Sequence, residues 1–372
     1  MRLLNFIRNW MLPIAMIFGV SVYCLYIQLP LPGAARATAS SIVSYLQPLL
    51  IFSMLFLTFC RIELHDLKPC KWHGWLLGIQ VLAFSALSFV AMNITDTGIK
   101  ALVEGAMLCF ICPTATAAAV VVRKLGGNVA NNTSYLILIN LVTALVVPLF
   151  VPLIHPQVGV SFITAFALII GKVFPLLLLP LIAAMLVRKL LPKLHAFLVK
   201  FPDLPFYMWS VALSLAMAMT AKTIYHTNIP IPYHFGIAAI SLVCCFLQFY
   251  LGRKIGGLYG DKITCGQTLG QKNTVLAIWL GYTFFTPITA IAGGFYSIWQ
   301  DFLPELIEEG EHEHQDFKFA ITDSKKISRS IAAFANNDGG RLLIGVKDNG
   351  SIAGMKGDEE YYMIDYAAST YC

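Results

Sequence analysis

The chain has 372 residues, of which 58% are hydrophobic and 12% charged, against roughly 25% charged in ordinary soluble domains. That balance excludes a soluble globular enzyme and describes a polytopic membrane protein. The net charge of +6 conceals a split: residues 1–300 hold 19 Lys/Arg and 6 Asp/Glu, while residues 301–372 hold 7 and 14, so a domain boundary is expected near Gln300.

Arg2 and Arg8 precede an apolar run at 11–27. The run is too long for a signal peptide, and Pro30-Leu31-Pro32-Gly33 is no small-residue cleavage site, so an uncleaved first span is expected. Further apolar runs follow at 44–59, 72–92, 99–122, 136–154, 162–187, 206–223, 235–251, 263–285 and 287–303. Most approach the ~20 residues that a bilayer requires, which makes ten spans. Proline-rich turns fall at 201–205 and 228–232. The cysteines within the runs, such as Cys24, Cys60, Cys244 and Cys245, are expected to act as small hydrophobes rather than a disulfide framework.

Lys and Arg gather in alternate loops, at Arg61, Lys68 and Lys71, at Arg123 and Lys124, at Arg188 to Lys200 and at Arg253 to Lys262. The opposite side has Arg36, Lys100 and Lys222. The positive-inside rule then puts both termini in the cytoplasm, in a bacterial-type inner (plasma) membrane.

Two spans are interrupted. The fourth contains Cys112-Pro113-Thr114-Ala115-Thr116, and the ninth contains Gly266-Gln-Thr-Leu-Gly-Gln-Lys-Asn273. Lysine at bilayer depth costs about 2.5–3.5 kcal/mol on insertion scales, and irregular backbone there must line protein or a water-filled cavity. Five spans precede Pro156 and five follow it, so the second half enters the membrane inverted. The broken fourth members of each half then run antiparallel and can cross at the midplane, where a transporter binds its substrate. The starts of the inner half-helices carry free N–H groups and partial positive charge, which favours an anion. Thr114, Thr116, Asn273 and Thr274 can cap those ends or touch the substrate. Lys172 is a second mid-span lysine, in the sixth run, with a structural contact as its alternative role. Glu104 is expected as a solvated vestibule residue. No metal site and no cofactor are expected.

These interruptions resemble the bile acid:sodium symporter family. The matching residues are Cys112-Pro113-x-x-Thr116-Ala117 with Gly127-Asn128-Val129-Ala130, Gly270-x-x-Asn273-x-x-Leu276-Ala277, and Gln80 in the third span. The resemblance covers residues ~1–300 and implies ten helices with crossed, broken helices 4 and 9. It also implies transport of an organic anion, with sodium held by carbonyls and acidic or polar side chains. The chain departs from that pattern. The family's ligating glutamate falls on Thr268, its glutamine on Lys272 beside Gln271, and its serine–asparagine pair on Ala118 and Ala119. A hard cation needs oxygen ligands, so these changes argue against sodium coupling and leave a proton as the candidate ion. Lys272 either braces the crossing or replaces or couples the cation.

In the tail, an acidic linker at 304–310 leads to an expected strand at 316–321, an amphipathic helix at 324–336, and strands at 341–346 and 352–354 about an Asp348-Asn349-Gly350 turn. Phe317-Lys318, Ile331-Ala-Ala-Phe-Ala-Asn336 and Gly339-Gly-Arg-Leu-Leu-Ile-Gly-Val346 resemble the first part of the Schlafen AlbA-type domain. That resemblance implies nucleic-acid binding, which the acidic balance opposes. Glu313, Asp316 and Asp348 form a weak carboxylate grouping beside His312 and His314. The expected architecture is an all-α polytopic membrane protein of two inverted five-helix repeats at 1–303, with a small α/β cytoplasmic tail at 311–372. Its expected partners are a small organic anion and membrane lipid. The expected activity is secondary transport, with no enzymatic role. The alternative is a membrane-anchored regulator whose tail binds nucleic acid.

Overall fold

The structure is a computed structural model, and it describes residues 11–30, 32–62, 67–156, 158–201, 204–227, 229–306, 315–318, 324–336, 341–344 and 358–371. The chain divides into two compact units, residues 1–121 with 128–301 and residues 122–127 with 302–372.

The first unit is helical. Its elements are α1 (Met11–Gln28), α2 (Gly33–Phe59), α3 (Lys71–Met92), α4 (Thr97–Ile111), α5 (Ala118–Lys124, which ends in the second unit), α6 (Val129–Ile154), α7 (Phe162–Leu190), α8 (Pro192–Val199), α9 (Leu204–His226), α10 (Ile231–Leu258), α11 (Lys262–Gly270), α12 (Thr274–Phe284) and α13 (Ile291–Leu306). Six of these, α2, α3, α6, α7, α9 and α10, are long and apolar enough to cross a membrane, and α12 and Pro13–Gln28 are shorter apolar helices. The chain is therefore a multi-pass membrane protein. Prolines lie inside the long helices, at Pro48 in α2, Pro148 and Pro152 in α6, and Pro175 and Pro180 in α7. Membrane helices tolerate them because neighbouring helices re-satisfy the freed backbone groups. Large apolar side chains such as Tyr45, Leu82 and Ile163 face outward, as a lipid-facing surface requires.

Both interruptions expected from sequence are present. The fourth run is divided into α4 and α5, and the ninth into α11 and α12. No half is long enough to cross a bilayer alone. The short helix α8 between α7 and α9 was not expected.

The helices pack in two sets, joined where α6 lies on α7. In one, α1 lies on α9, and α2 lies on α7 and α9; in the other, α3 lies on α4 and α6, and α10 lies on α4 and α11. Glycine permits the tightest contact of the second group. A Cβ on Gly252 of α10 would lie 2.6 Å from the Cys265 carbonyl oxygen and 2.9 Å from Gly266 Cα, both backbone atoms of α11.

In the second unit, β1 (Gln315–Lys318) pairs in parallel with β2 (Arg341–Ile344), Phe317 opposite Leu343. Helix α14 (Ser324–Asn336) connects them, and α15 (Asp358–Tyr371) follows. A small core joins Ile327 and Ile331 to Leu342, Met363 and Ile364. Helix α15 was not anticipated. The expected strand at 352–354, the turn at 348–350, and Glu313, His312 and His314 lie outside the described residues.

Candidate functional site at the helix crossing

The two breaks hydrogen-bond to each other. Helix α4 stops at Ile111 because Pro113 has no N–H and holds the preceding Cys112 extended, at φ −57° and ψ 132°. Helix α11 stops at Gly270, and Gln271 is extended at φ −81° and ψ 106°. The extended stretches run antiparallel, with Thr114 bridged to Lys272. Asn273 N donates to the Pro113 carbonyl at 2.8 Å, and Ala115 N donates to the Gln271 carbonyl at 2.9 Å. Each break thus supplies partners that the other lost by leaving the helix, which is how irregular backbone survives away from water.

Side chains take up the carbonyl ends of both outer half-helices. At the end of α4, the Phe110 carbonyl accepts from Gln80 Nε2 at 2.5 Å and from Lys272 Nζ at 3.4 Å. The Cys112 carbonyl accepts from Gln80 Nε2 at 3.3 Å, Ile111 from Thr143 Oγ1 at 2.9 Å, and Cys109 from Gln248 Nε2 at 3.1 Å. Gln80 is itself oriented by the Tyr135 hydroxyl, which donates to Oε1. At the end of α11, the Thr268 carbonyl accepts from Thr114 Oγ1 at 2.6 Å and the Gly270 carbonyl from Tyr296 OH at 2.8 Å. A cation is favoured at a helix C-terminus, and the Lys272 ammonium sits at the end of α4.

Lys272 is 1% exposed, and its backbone N donates to Gln300 Oε1 at 2.8 Å. Its charge is surrounded by the thiols of Cys109, Cys112, Cys244 and Cys245. Among the described residues no carboxylate forms an ion pair with it. Thr268 accepts from Asn132 Nδ2 at 2.8 Å through its hydroxyl. Gln271 reaches the Gln300 carbonyl at 3.5 Å through Nε2.

The start of α12 is capped and polar. Asn273 caps it, with Oδ1 accepting from Leu276 N at 3.1 Å. The Thr274 hydroxyl, Gln267 Oε1 and Gln271 Oε1 are buried with no hydrogen-bond partner. Thr114 does not cap a helix and instead bridges to α11. Thr116 is buried, but α5 begins at Ala118, one residue too late for Thr116 to be its N-cap. Lys172 is exposed on α7 and is not brought to the crossing.

Glu104 corrects the sequence reading. It is fully buried rather than solvated. Its carboxylate meets His155 Nε2 at 2.8 Å and accepts from Thr289 Oγ1 at 2.9 Å. Sequence reasoning also passed over Gln47, Asn132, Thr143, Gln248, Tyr296 and Gln300. Their common signal is a lone polar group in an apolar run, which costs free energy unless it is partnered.

These features define a multi-pass membrane protein with a buried polar crossing between two broken helices. Residues 48–227 match the Sodium Bile acid symporter family, and residues 311–369 match the Schlafen AlbA_2 domain. Over those segments the chain is similar to these two families, whose motifs it carries. The first match includes the α4–α5 break and ends before the α11–α12 break. No curated protein matches the chain.

Proposed function

We propose that the protein is a secondary transporter of a small organic anion, with ten spans in two inverted five-helix halves. The observation that carries this reading is the reciprocal pairing of Pro113–Ala115 with Gln271–Asn273, because a shared polar crossing is where transporters built from inverted repeats bind substrate. The α1, α2, α7, α9 group supplies the panel against which the crossing group rocks in alternating access. The anion is bound by Thr114, Thr116, Asn273 and Thr274, of which Thr274 offers an unpaired buried hydroxyl at a helix start.

Lys272 stands where a coupling cation would sit, supported by Gln80, Gln271 and Thr268. A tethered ammonium in that place removes the need for sodium. The Lys/Arg distribution supports cytoplasmic termini in a bacterial-type inner membrane. Reconstitution in proteoliposomes, with uptake of a panel of carboxylates and sulfonates across a sodium series, tests the reading. Uptake of an organic anion without sodium dependence supports it, and selective uptake of cations refutes it.

A membrane-anchored regulator is the second reading, favoured by the AlbA-type match at 311–369. That reading requires the first unit to work only as a tether. The buried pairing of the two breaks exceeds what a tether needs.

A further inference from the structure

We infer that Glu104 and His155 form a proton-binding site that couples transport to a proton gradient. The coupling half of this inference rests on the transport reading above; the proton binding does not.

Glu104 is a buried carboxylate held by three segments. It lies on α4, His155 caps the C-terminus of α6, and Thr289 lies between α12 and α13. One carboxylate oxygen faces His155 Nε2 at 2.8 Å and the other accepts from Thr289 Oγ1 at 2.9 Å, while Thr286 Oγ1 lies 2.7 Å from Thr289 Oγ1. Neither Glu104 Oε1 nor His155 Nε2 has another polar partner. The Phe285 ring packs edge-on against the imidazole, centroids 5.8 Å apart.

Most other ionisable groups on the neighbouring helices are engaged, while both ring nitrogens of His234 on α10 are buried without a hydrogen-bond partner. On α4 itself, Asp96 caps the helix through Ile99 N, and the Lys100 ammonium donates to the Ile154 carbonyl at 3.0 Å. Helix α3 has no ionisable residue after His73, at its far end, and α6 has only Tyr135, bonded to Gln80. From α10, Tyr233 lies against Gly98, and His234 and the thiols Cys244 and Cys245 share that helix. Cys109 and Cys112 continue α4. On α12, Tyr282 donates to the Met219 carbonyl, and on α13, Tyr296 donates to Gly270. His155 is the basic group that contacts Glu104 directly.

The proton count follows. With one proton shared, the pair is neutral in either arrangement, imidazolium with carboxylate or imidazole with carboxylic acid. Loss of that proton leaves an unpaired buried anion, which the protein interior disfavours. Release therefore accompanies opening of the site, and the proton and the conformation become linked. His155 has 28% of its side chain exposed while Glu104 has none. A proton arriving at the imidazole can pass from Nε2 to Oε1 without the carboxylate meeting solvent. Because α4 leads into the first break and Phe285 and Thr289 follow α12, the pair touches segments of both broken helices.

The test uses the purified full chain in lipid, titrated over about pH 4.5 to 8.5, which spans ordinary carboxyl and imidazole values. Infrared difference spectra should show one carboxyl band that titrates in the wild type and vanishes in Glu104→Gln. In His155→Gln the band should persist with its midpoint displaced, which keeps the test usable if Glu104→Gln does not fold. A band unchanged in Glu104→Gln, or a midpoint unmoved in His155→Gln, overturns the site. Proteoliposome uptake of taurocholate as probe should rise several-fold under an inward proton gradient and lose that response in Glu104→Gln. A titrating Glu104 with pH-independent uptake overturns the coupling alone. No uptake of any tested anion, with the infrared result intact, refutes the transport reading and leaves the proton site standing.

Discussion

The ammonium of Lys272 reaches the Phe110 carbonyl at 3.4 Å across the helix crossing, and Gln80 donates to the same oxygen at 2.5 Å. Charge and amide thus share one helix end, and this separates the role of Lys272 in function from its role in stability.

Lys272→Met keeps the volume and removes the charge. Replacing a buried charge by an apolar group of similar volume is often neutral or stabilising, and Gln80 remains on the Phe110 carbonyl. Thermal unfolding in detergent should therefore be unchanged or shifted upward, while anion uptake is lost. Lys272→Ala should instead lower stability by about 2–5 kcal/mol, the cost of a large-to-small change in a closed interior. Loss of stability in Lys272→Met comparable to that in Lys272→Ala would show that the charge is structural.

Sodium dependence is a second test of Lys272. Wild-type uptake should be the same in sodium, potassium and choline. The double change Thr268→Glu with Lys272→Gln restores two ligand types of the family and should introduce a measurable sodium response. That response should stay weak, because Ala118 and Ala119 offer no side-chain oxygen. A steep sodium dependence in the wild type would contradict the assignment of Lys272 to the cation's place.

Gln80 and Tyr135 should behave as one unit. Gln80→Leu strips donors from the Phe110 and Cys112 carbonyls and leaves the Tyr135 hydroxyl buried without its acceptor. Each unsatisfied buried group costs about 1–3 kcal/mol. Tyr135→Phe should cost less, and the double variant should fall short of the sum by about 0.5–3 kcal/mol, as contacting residues do. A denaturant-unfolding cycle in detergent measures the coupling, and additive losses would mean the bond contributes little.

Glycines on one helix should differ by position. Gly252→Ala forces a Cβ against α11 backbone that has no flexible end to yield, so about 1–3 kcal/mol of stability should be lost. Gly257 has nothing within 4 Å of the added atom, so Gly257→Ala should gain about 0.5–1 kcal/mol from helix preference. Paired melting curves decide this, and equal effects would mean α10 and α11 are not in tight contact.

Truncation after Leu303 should leave expression and uptake close to wild type, since the small core of the tail is formed among α14, β2 and α15. Size-exclusion profiles and uptake of the truncated chain check it. Loss of folded protein would place the boundary elsewhere.

Hydropathy, proline and glycine determined much of this by themselves. The spans at 136–154 and 235–251 became α6 and α10, and the interruptions at Pro113 and Gly270 became real helix ends, because a missing N–H or a missing Cβ acts within a few residues of itself. The tail was less legible. Helix α15 carries four tyrosines, Tyr361, Tyr362, Tyr366 and Tyr371, which suit a strand as well as a helix, and its packing against Ile327 and Ile331 decided between them.

What only the tertiary structure decided is which donor meets which carbonyl. Thr114 and Thr268 are 154 positions apart, and Gln47 donates to the Val275 carbonyl across 228. Local pattern holds no record of such pairs. Glu104 is the sharpest case, because a carboxylate towards the outer face reads as a solvated vestibule residue until His155 and Thr289 are seen to close over it. Burial of a polar side chain depends on partners brought from elsewhere in the fold, and the crossing of two broken helices is what brings them.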